Sequence, residues 1–129
     1  MKKIFCLFFG LLTIALSSCK LIGNEKGSLV VRNESDDPTI VISEVYVKER
    51  GTSGYNKVFT GSIKDGSSHF IQLDPGYYSV KAITTKTLGL DSSTGEYYTG
   101  HGDYKELKEG GFITVVLDYD GADLGIKFD

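Results

Sequence analysis

Disulfide-forming cysteines are missing from most of this chain. Of its 129 residues only two are cysteine, Cys6 and Cys19, and none follows position 19. A small domain without an internal disulfide has to be stabilised by its own hydrophobic core. With 40% hydrophobic and 24% charged residues, the chain has the composition of a globular protein of one-domain length, not of a disordered one.

The chain also lacks an excess of positive charge. It carries 14 Lys and Arg against 17 Asp and Glu, a net charge of −3. Nucleic-acid-binding proteins need a basic face for the phosphates, and anionic membrane surfaces attract basic segments. The composition therefore argues against nucleic acid as a partner and against electrostatic attraction to a membrane.

Catalytic signatures are absent as well. The sequence has no G-x-S-x-G, and its two histidines, His69 and His101, lie 32 residues apart without a close cysteine or H-x-H. The glycine-rich stretch at 108–111 does not match the phosphate-loop pattern. We therefore expect no enzymatic activity and no cofactor.

The one long apolar run is too short to cross a bilayer. It covers thirteen residues, 4–16, and follows the charged start Met1-Lys2-Lys3. A membrane-spanning helix needs about 20 apolar residues, whereas the hydrophobic region of a signal peptide needs about 7–15. The length and the basic flank predict a cleaved signal peptide over residues 1–18.

The residues after this run are Leu16-Ser17-Ser18-Cys19. This sequence resembles the lipobox of bacterial lipoproteins, in which a Leu and two small residues precede an obligatory cysteine. The resemblance implies a diacylglyceryl group on the Cys19 thiol, cleavage before Cys19, and a membrane as partner through that lipid. Two or more acyl chains anchor a protein stably. Lys20, where an Asp would favour inner-membrane retention, points to the outer membrane or cell surface.

Cleavage at this position changes the charge and leaves a short tether. Removal of Lys2 and Lys3 leaves 12 basic against 17 acidic residues, so the mature net charge is −5. Residues 19–27 are predicted to form the lipidated tether. The eight residues after Cys19 span at most about 26 Å at roughly 3.3 Å each, so the domain should sit close to the bilayer.

Residues 28–129 have the composition of a β-domain. They are rich in Val, Ile, Thr, Tyr and Phe and interrupted by Gly, Asp, Asn and Ser clusters. We predict an all-β fold, a single antiparallel β-sandwich of about seven or eight strands. The predicted strands are 29–33, 40–48, 55–63, 69–73, 77–84, 112–118 and 124–128, with a hairpin formed by 85–90, a turn at 91–95 and 97–101. Only 104–109 resembles a helix, and it would make one turn.

Alternation of apolar residues predicts which side chains face the core. In the second strand we assign Val41, Val45 and Val47 to one face, with a bulge near Ser43 and Glu44 as the expected reason why the phase blurs there. Other inward sets are predicted in the later strands: Ile71 with Leu73; Tyr78, Val80 and Ala82; and Ile113, Val115 and Leu117.

The stretch Leu73-Asp74-Pro75-Gly76-Tyr77-Tyr78-Ser79-Val80 carries a more specific pattern. It resembles the L-x-P-G-x-Y-x-V hairpin of exported bacterial β-sandwich modules, such as prealbumin-like and carboxypeptidase-regulatory-like domains. Pro-Gly favours a tight turn because proline fixes φ and glycine accepts positive φ. The resemblance implies the fold and no particular function.

One group of carboxylates is a candidate metal site. Asp118, Asp120 and Asp123 lie close together beside Gly121, and calcium takes oxygen ligands. The spacing does not fit an EF-hand, and Asp and Gly are also the residues of a hairpin turn. We favour the turn and expect no metal.

Tyrosine is frequent, with eight residues, and tryptophan is absent. In the adjacent pairs Tyr77-Tyr78 and Tyr97-Tyr98, strand alternation puts one ring inside and one outside. Tyr77 with either Tyr97 or Tyr98 could form an exposed patch for protein or sugar contacts. Cross-strand aromatic pairing that only stabilises the sheet is the alternative.

Three functions are open at this point. The first is a non-catalytic, membrane-anchored binding module, whose partner would be an envelope protein or a glycan. The second is a structural or accessory subunit of a cell-envelope complex, which an unpaired edge strand would favour. An envelope hydrolase or inhibitor is the third, and it would need a cleft with a histidine beside an acid.

Overall fold

The computed structural model describes residues 25–100 and 102–129. The predicted signal peptide, Cys19 and His101 lie outside this part of the chain. Within the described residues the structure has nine strands, whereas the sequence predicts seven or eight. They are β1 (Gly27–Asn33), β2 (Ile40–Glu49), β3 (Asn56–Ile63), β4 (Ser68–Leu73), β5 (Gly76–Leu88), β6 (Asp91–Tyr98), β7 (Lys105–Leu107), β8 (Phe112–Asp120) and β9 (Asp123–Phe128). None of the described residues belongs to a helix that is long and apolar enough to cross a membrane.

Two sheets pack face to face in a β-sandwich. Sheet I has the order β9-β8-β1-β4, and sheet II has the order β3-β2-β5-β6, with β7 also paired to β5. The prediction of a wholly antiparallel sandwich is wrong in one respect, since β1 and β8 run parallel, with Leu29 opposite Ile113. The other strand pairs are antiparallel. A parallel neighbour requires a long crossover, which the whole of sheet II provides here.

The core lies between the sheets and contains the predicted inward residues of three strands. Tyr78, Val80 and Ala82 of β5 are buried, as are Ile113, Val115 and Leu117 of β8 and Ile71 and Leu73 of β4. The same cluster contains residues of β1, β2, β3, β7 and β9: Leu29, Val31, Ile40, Ile42, Val45, Val47, Ile63, Leu107 and Ile126. The prediction of these faces from period-two alternation is confirmed.

In β2 the predicted face is wrong at its first residue. Ile40 and Ile42 are buried and Val41 is only half-buried, whereas Val45 and Val47 are buried as predicted. The register shifts between Ile42 and Glu44 against both neighbouring strands. This bulge inserts one residue, so the face that points inward changes from even to odd positions.

The Pro75-Gly76 segment is not the turn of a hairpin. β4 belongs to sheet I and β5 to sheet II, so this link carries the chain between the two layers. Gly76 does not adopt a positive φ. The Tyr78 hydroxyl donates a hydrogen bond of 2.6 Å to the Asp74 carbonyl, which closes the corner in the manner of the tyrosine corners of β-sandwiches.

Two further predicted segments differ. The hairpin turn expected at 91–95 lies instead at Gly89-Leu90, because Leu88 already pairs with Asp91. Gly89 has φ of 62°, which suits a two-residue hairpin loop. The predicted helical turn at 104–109 is the short strand β7, whose Leu107 pairs with Gly76 and is buried in the core.

The sandwich has two distinct ends. β1 starts at Gly27, one residue before the predicted domain, and a Cβ there would lie 2.6 Å from the Leu107 side chain. Gly27, Leu107 and Gly76 therefore lie at one end, where the chain enters, which we call the tether end. β5 runs thirteen residues away from it to the turn at Leu90, which marks the far end.

A buried asparagine holds the strands together near the far end. Asn33 is 0% exposed, and its amide donates hydrogen bonds of 3.0 Å to the carbonyls of Ile40 and Ile63. Its side-chain oxygen accepts a hydrogen bond from the Ser35 backbone N–H. One side chain thus joins β1, the start of β2 and the end of β3.

Replacement of this asparagine should be costly. We expect Asn33→Ala to lower the free energy of unfolding of residues 25–129 by about 2–4 kcal/mol, because buried carbonyls lose their donor. Urea unfolding followed by circular dichroism measures it. The exposed Asn56, at the start of β3, gives the control Asn56→Ala, which should change stability by less than about 0.5 kcal/mol. Equal effects of the two variants would contradict the role of Asn33.

Candidate binding surface

The outer face of sheet II carries a row of tyrosines around a lysine. Lys81 of β5 lies opposite Tyr46 of β2 and Tyr98 of β6, so all three side chains share a face. Tyr55 precedes β3 and packs edge-on against Tyr98, with ring centroids 5.7 Å apart. The Lys81 ammonium lies 4.3 Å from the Tyr46 centroid and 5.5 and 5.8 Å from those of Tyr55 and Tyr98.

Beside this row lies a cleft of about 470 Å³, within the size range of small-ligand sites. We call it the tyrosine cleft. Its walls include the rings of Tyr55, Tyr98 and Tyr104 and the side chain of Lys48. Tyr98 is 48% exposed, so part of its ring faces solvent. The cleft thus offers aromatic surface to a ligand without any rearrangement of the sheet.

The floor of the tyrosine cleft is formed by buried hydroxyls. Ser79 and Thr99 are 4% and 3% exposed, and their side-chain oxygens lie 2.9 Å apart. The Thr99 hydroxyl accepts a hydrogen bond from the Val80 backbone N–H, which fixes its position. The Tyr55 hydroxyl reaches Ser79 at 3.4 Å. A ligand in the cleft would therefore meet hydroxyls that can form hydrogen bonds and, beside them, aromatic rings on which it can stack.

Carboxylates accept hydrogen bonds from two of the tyrosine hydroxyls on the outer face of sheet II. Tyr46 donates a hydrogen bond of 2.6 Å to Glu44, and Tyr98 donates one of 2.9 Å to Glu96. These hydrogen bonds are the main reason why the pKa of each tyrosine is raised above its usual value, with burial and the nearby negative charge adding to the effect. A phenol is uncharged at neutral pH in any case, and the raised pKa keeps both rings uncharged to more alkaline pH.

The structure does not bring the predicted tyrosines, Tyr77 with Tyr97 or Tyr98, together in one patch. Tyr98 faces outward, whereas Tyr97 is half-buried and packs against the core. Tyr77 is 36% exposed on the same face as Tyr98, but its ring is covered by the Arg50 guanidinium at 3.9 Å. Tyr77 pairs with β7, four residues along β5 from Lys81, so it does not border the cleft.

The candidate metal residues form the end of a hairpin. Asp120 pairs with Asp123 across the turn between β8 and β9, and Gly121 has φ of 70°. Asp118 is 3.5 Å from the Lys127 ammonium. In the described part of the chain no three His, Cys, Asp or Glu side chains are placed to hold a metal ion. The geometry is that of a turn.

The remaining candidate residue for chemistry, His69, lies away from the cleft. Its ring packs against Phe59, with centroids 4.5 Å apart, at the margin between the sheets. It does not line the tyrosine cleft or either of two other clefts among the described residues, one beside Glu34 and one beside Asp123. The cleft expected of an envelope hydrolase, with His69 or His101 beside an acid, is not found at His69 in these three clefts, and His101 lies outside the described residues.

No family model matches the sequence, and a search of the curated proteins finds no significant match.

Sequence reasoning missed several residues of this surface, namely Tyr46, Tyr55, Lys81 and Tyr104. A signal was present for two of them. Tyr46 stands between the inward Val45 and Val47, and Lys81 between the inward Val80 and Ala82, so alternation places both outside. The contact between Tyr46 and Lys81 could not be predicted from the sequence, because it depends on the register of β2 against β5.

Proposed function

We propose that the protein is a bacterial lipoprotein, anchored through lipid on Cys19, whose β-sandwich binds a glycan of the cell envelope in the tyrosine cleft without catalysing a reaction. The observation that carries the binding proposal is the combination of aromatic walls with a floor of fixed hydroxyls. Aromatic rings stack on the apolar faces of sugars, and hydroxyls exchange hydrogen bonds with theirs.

The anchor is supported by the N-terminal sequence. Cys19 follows a Leu-Ser-Ser stretch and a thirteen-residue apolar run, as expected for a lipoprotein precursor. The outer membrane or the cell surface is the location that Lys20 favours. A lipid-held domain with an exposed binding cleft would meet envelope polymers at high effective concentration.

An accessory subunit of an envelope complex is the second candidate. The observation in its favour is β6, an eight-residue strand at the edge of sheet II. A partner strand could add to such an edge. The cleft favours the glycan, because its polar floor is already built and β6 borders it through Tyr98.

Capture from detergent-solubilised envelope tests the proposal. The immobilised protein should retain a carbohydrate-containing partner, and Tyr98→Ala should reduce the amount captured by about tenfold or more, as expected when one central aromatic contact of at least 1.4 kcal/mol is lost. Tyr119→Ala is the matched control, because Tyr119 is 45% exposed at the far end. It should capture as much as the unchanged protein.

The nature of the partner decides between the candidates. Periodate oxidation of the captured material should abolish rebinding if a glycan is recognised, whereas protease treatment should abolish it if a protein is. Equal capture by the Tyr98→Ala and Tyr119→Ala proteins would exclude the tyrosine cleft as the binding site.

A further inference from the structure

The outer face of sheet I carries exposed apolar side chains close to the tether end. Phe112 is 72% exposed and Phe70 is 64% exposed. Phe112 pairs with Ser28, and Phe70 pairs with Val30, two residues further along β1. Paired residues and alternate residues of one strand share a face, so both rings project from the same side of the sheet.

These rings lie where the chain enters the domain. The Ser28 backbone N–H donates to the Gly111 carbonyl, next to Phe112, and the Glu25 N–H donates to the Glu109 carboxylate. Glu25 is six residues from Cys19, a reach of at most about 20 Å at roughly 3.3 Å per residue. A lipid on Cys19 would therefore keep the bilayer within reach of this face.

The charge of the domain is arranged to suit that contact. At the tether end the Lys26 ammonium pairs with the Asp74 carboxylate at 2.7 Å and offsets part of the acidic charge there, to which Glu25 and Glu109 also contribute. At the far end four carboxylates line one cleft, those of Glu34, Asp36, Asp65 and Asp118. An anionic bilayer surface would repel the far end and leave the tether end free to approach.

We propose that the tether-end half of sheet I's outer face rests on the anchoring bilayer, with Phe112 and Phe70 inserted at its interface. The inference rests on the lipid anchor of the proposed function. It follows that sheet II's outer face, on the opposite side of the sandwich, is turned away from the membrane. The tyrosine cleft is then presented to the envelope space instead of the lipid.

The absence of tryptophan from the chain makes this orientation measurable. Phe112→Trp and Phe70→Trp each give a single fluorescent reporter in the full lipidated protein, reconstituted into vesicles of brominated phosphatidylcholine and phosphatidylglycerol. Leu90→Trp is the matched control, because Leu90 is fully exposed at the far end. Flotation with the vesicles is recorded for every variant.

We expect blue-shifted and quenched emission from the Phe112→Trp and Phe70→Trp variants, and unshifted, unquenched emission from Leu90→Trp. Floating protein with unquenched emission from both phenylalanine replacements would overturn the orientation and leave the anchor intact. A blue shift without bromine quenching would assign the face to a second copy of the chain and overturn it too. Protein that fails to float would overturn both the anchor and this inference.

Discussion

Val80→Asp should unfold the domain. Val80 is 0% exposed at the centre of β5, between the core residues Tyr78 and Ala82. An unpaired carboxylate in that apolar environment costs several kcal/mol, and a domain of this size has only about 5–15 kcal/mol of stability in total. Far-UV circular dichroism and urea unfolding of residues 25–129 should show loss of the sheet signal or of the cooperative transition.

The same charge placed elsewhere on β5 is the control. Thr87 is exposed near the far end of the strand, so Thr87→Asp should leave the transition within about 0.5 kcal/mol of the unchanged protein. Tyr77→Ala, on the outer face, should also keep the fold. A stable Val80→Asp protein beside an unfolded Tyr77→Ala protein would mean that the two faces of β5 are assigned the wrong way round.

Cys19→Ala should abolish acylation and stop normal maturation. The lipobox resemblance makes the Cys19 thiol the acceptor of the lipid, and alanine has no thiol. Growth with an alkyne-bearing fatty acid, followed by attachment of a dye, should label the unchanged protein and leave Cys19→Ala unlabelled. The variant should be recovered as uncleaved precursor or as soluble protein.

The second cysteine provides the matched control. Cys6 lies inside the segment that is predicted to be removed, so Cys6→Ala should be labelled as strongly as the unchanged protein. Labelling of Cys19→Ala but not of Cys6→Ala would place the lipid on Cys6 and contradict the predicted cleavage before Cys19.

The fold class and most strand faces could be predicted because they depend on local alternation. β5 and β8 are regular strands in which apolar residues recur at every second position, so alternation correctly predicts that Val80 and Val115 face the core. In β2 the inserted residue at the bulge reverses the alternation. A bulge is set by register against β3 and β5, and sequence indicates only where one can form.

Two connections between strands are predicted wrongly because they too depend on contacts that are distant in sequence. The segment Asp91-Ser92-Ser93-Thr94-Gly95 has the composition of a turn, yet it forms the polar edge strand β6. An exposed edge strand needs few apolar residues, because its stability comes from backbone pairing with β5. The link at Pro75 likewise has the composition of a hairpin turn, and only the packing of two sheets makes it a crossover.

The candidate site was predicted only in part. Alternation within a pair of tyrosines required one ring of Tyr97-Tyr98 to be outside, and the structure places Tyr98 there. The neighbours that make it a cleft come from β2, β5 and the loops around Tyr55 and Tyr104, which are distant in sequence. Long-range pairing decides which exposed residues meet, and single-sequence patterns do not contain it.

The lipid anchor on Cys19 can be tested by the intact mass of the protein extracted from membranes. We expect a chain that begins at Cys19 and carries the added mass of a diacylglyceryl group, with or without a further acyl chain on its amino group. A mass equal to the unmodified chain, whether cleaved or uncleaved, would contradict it.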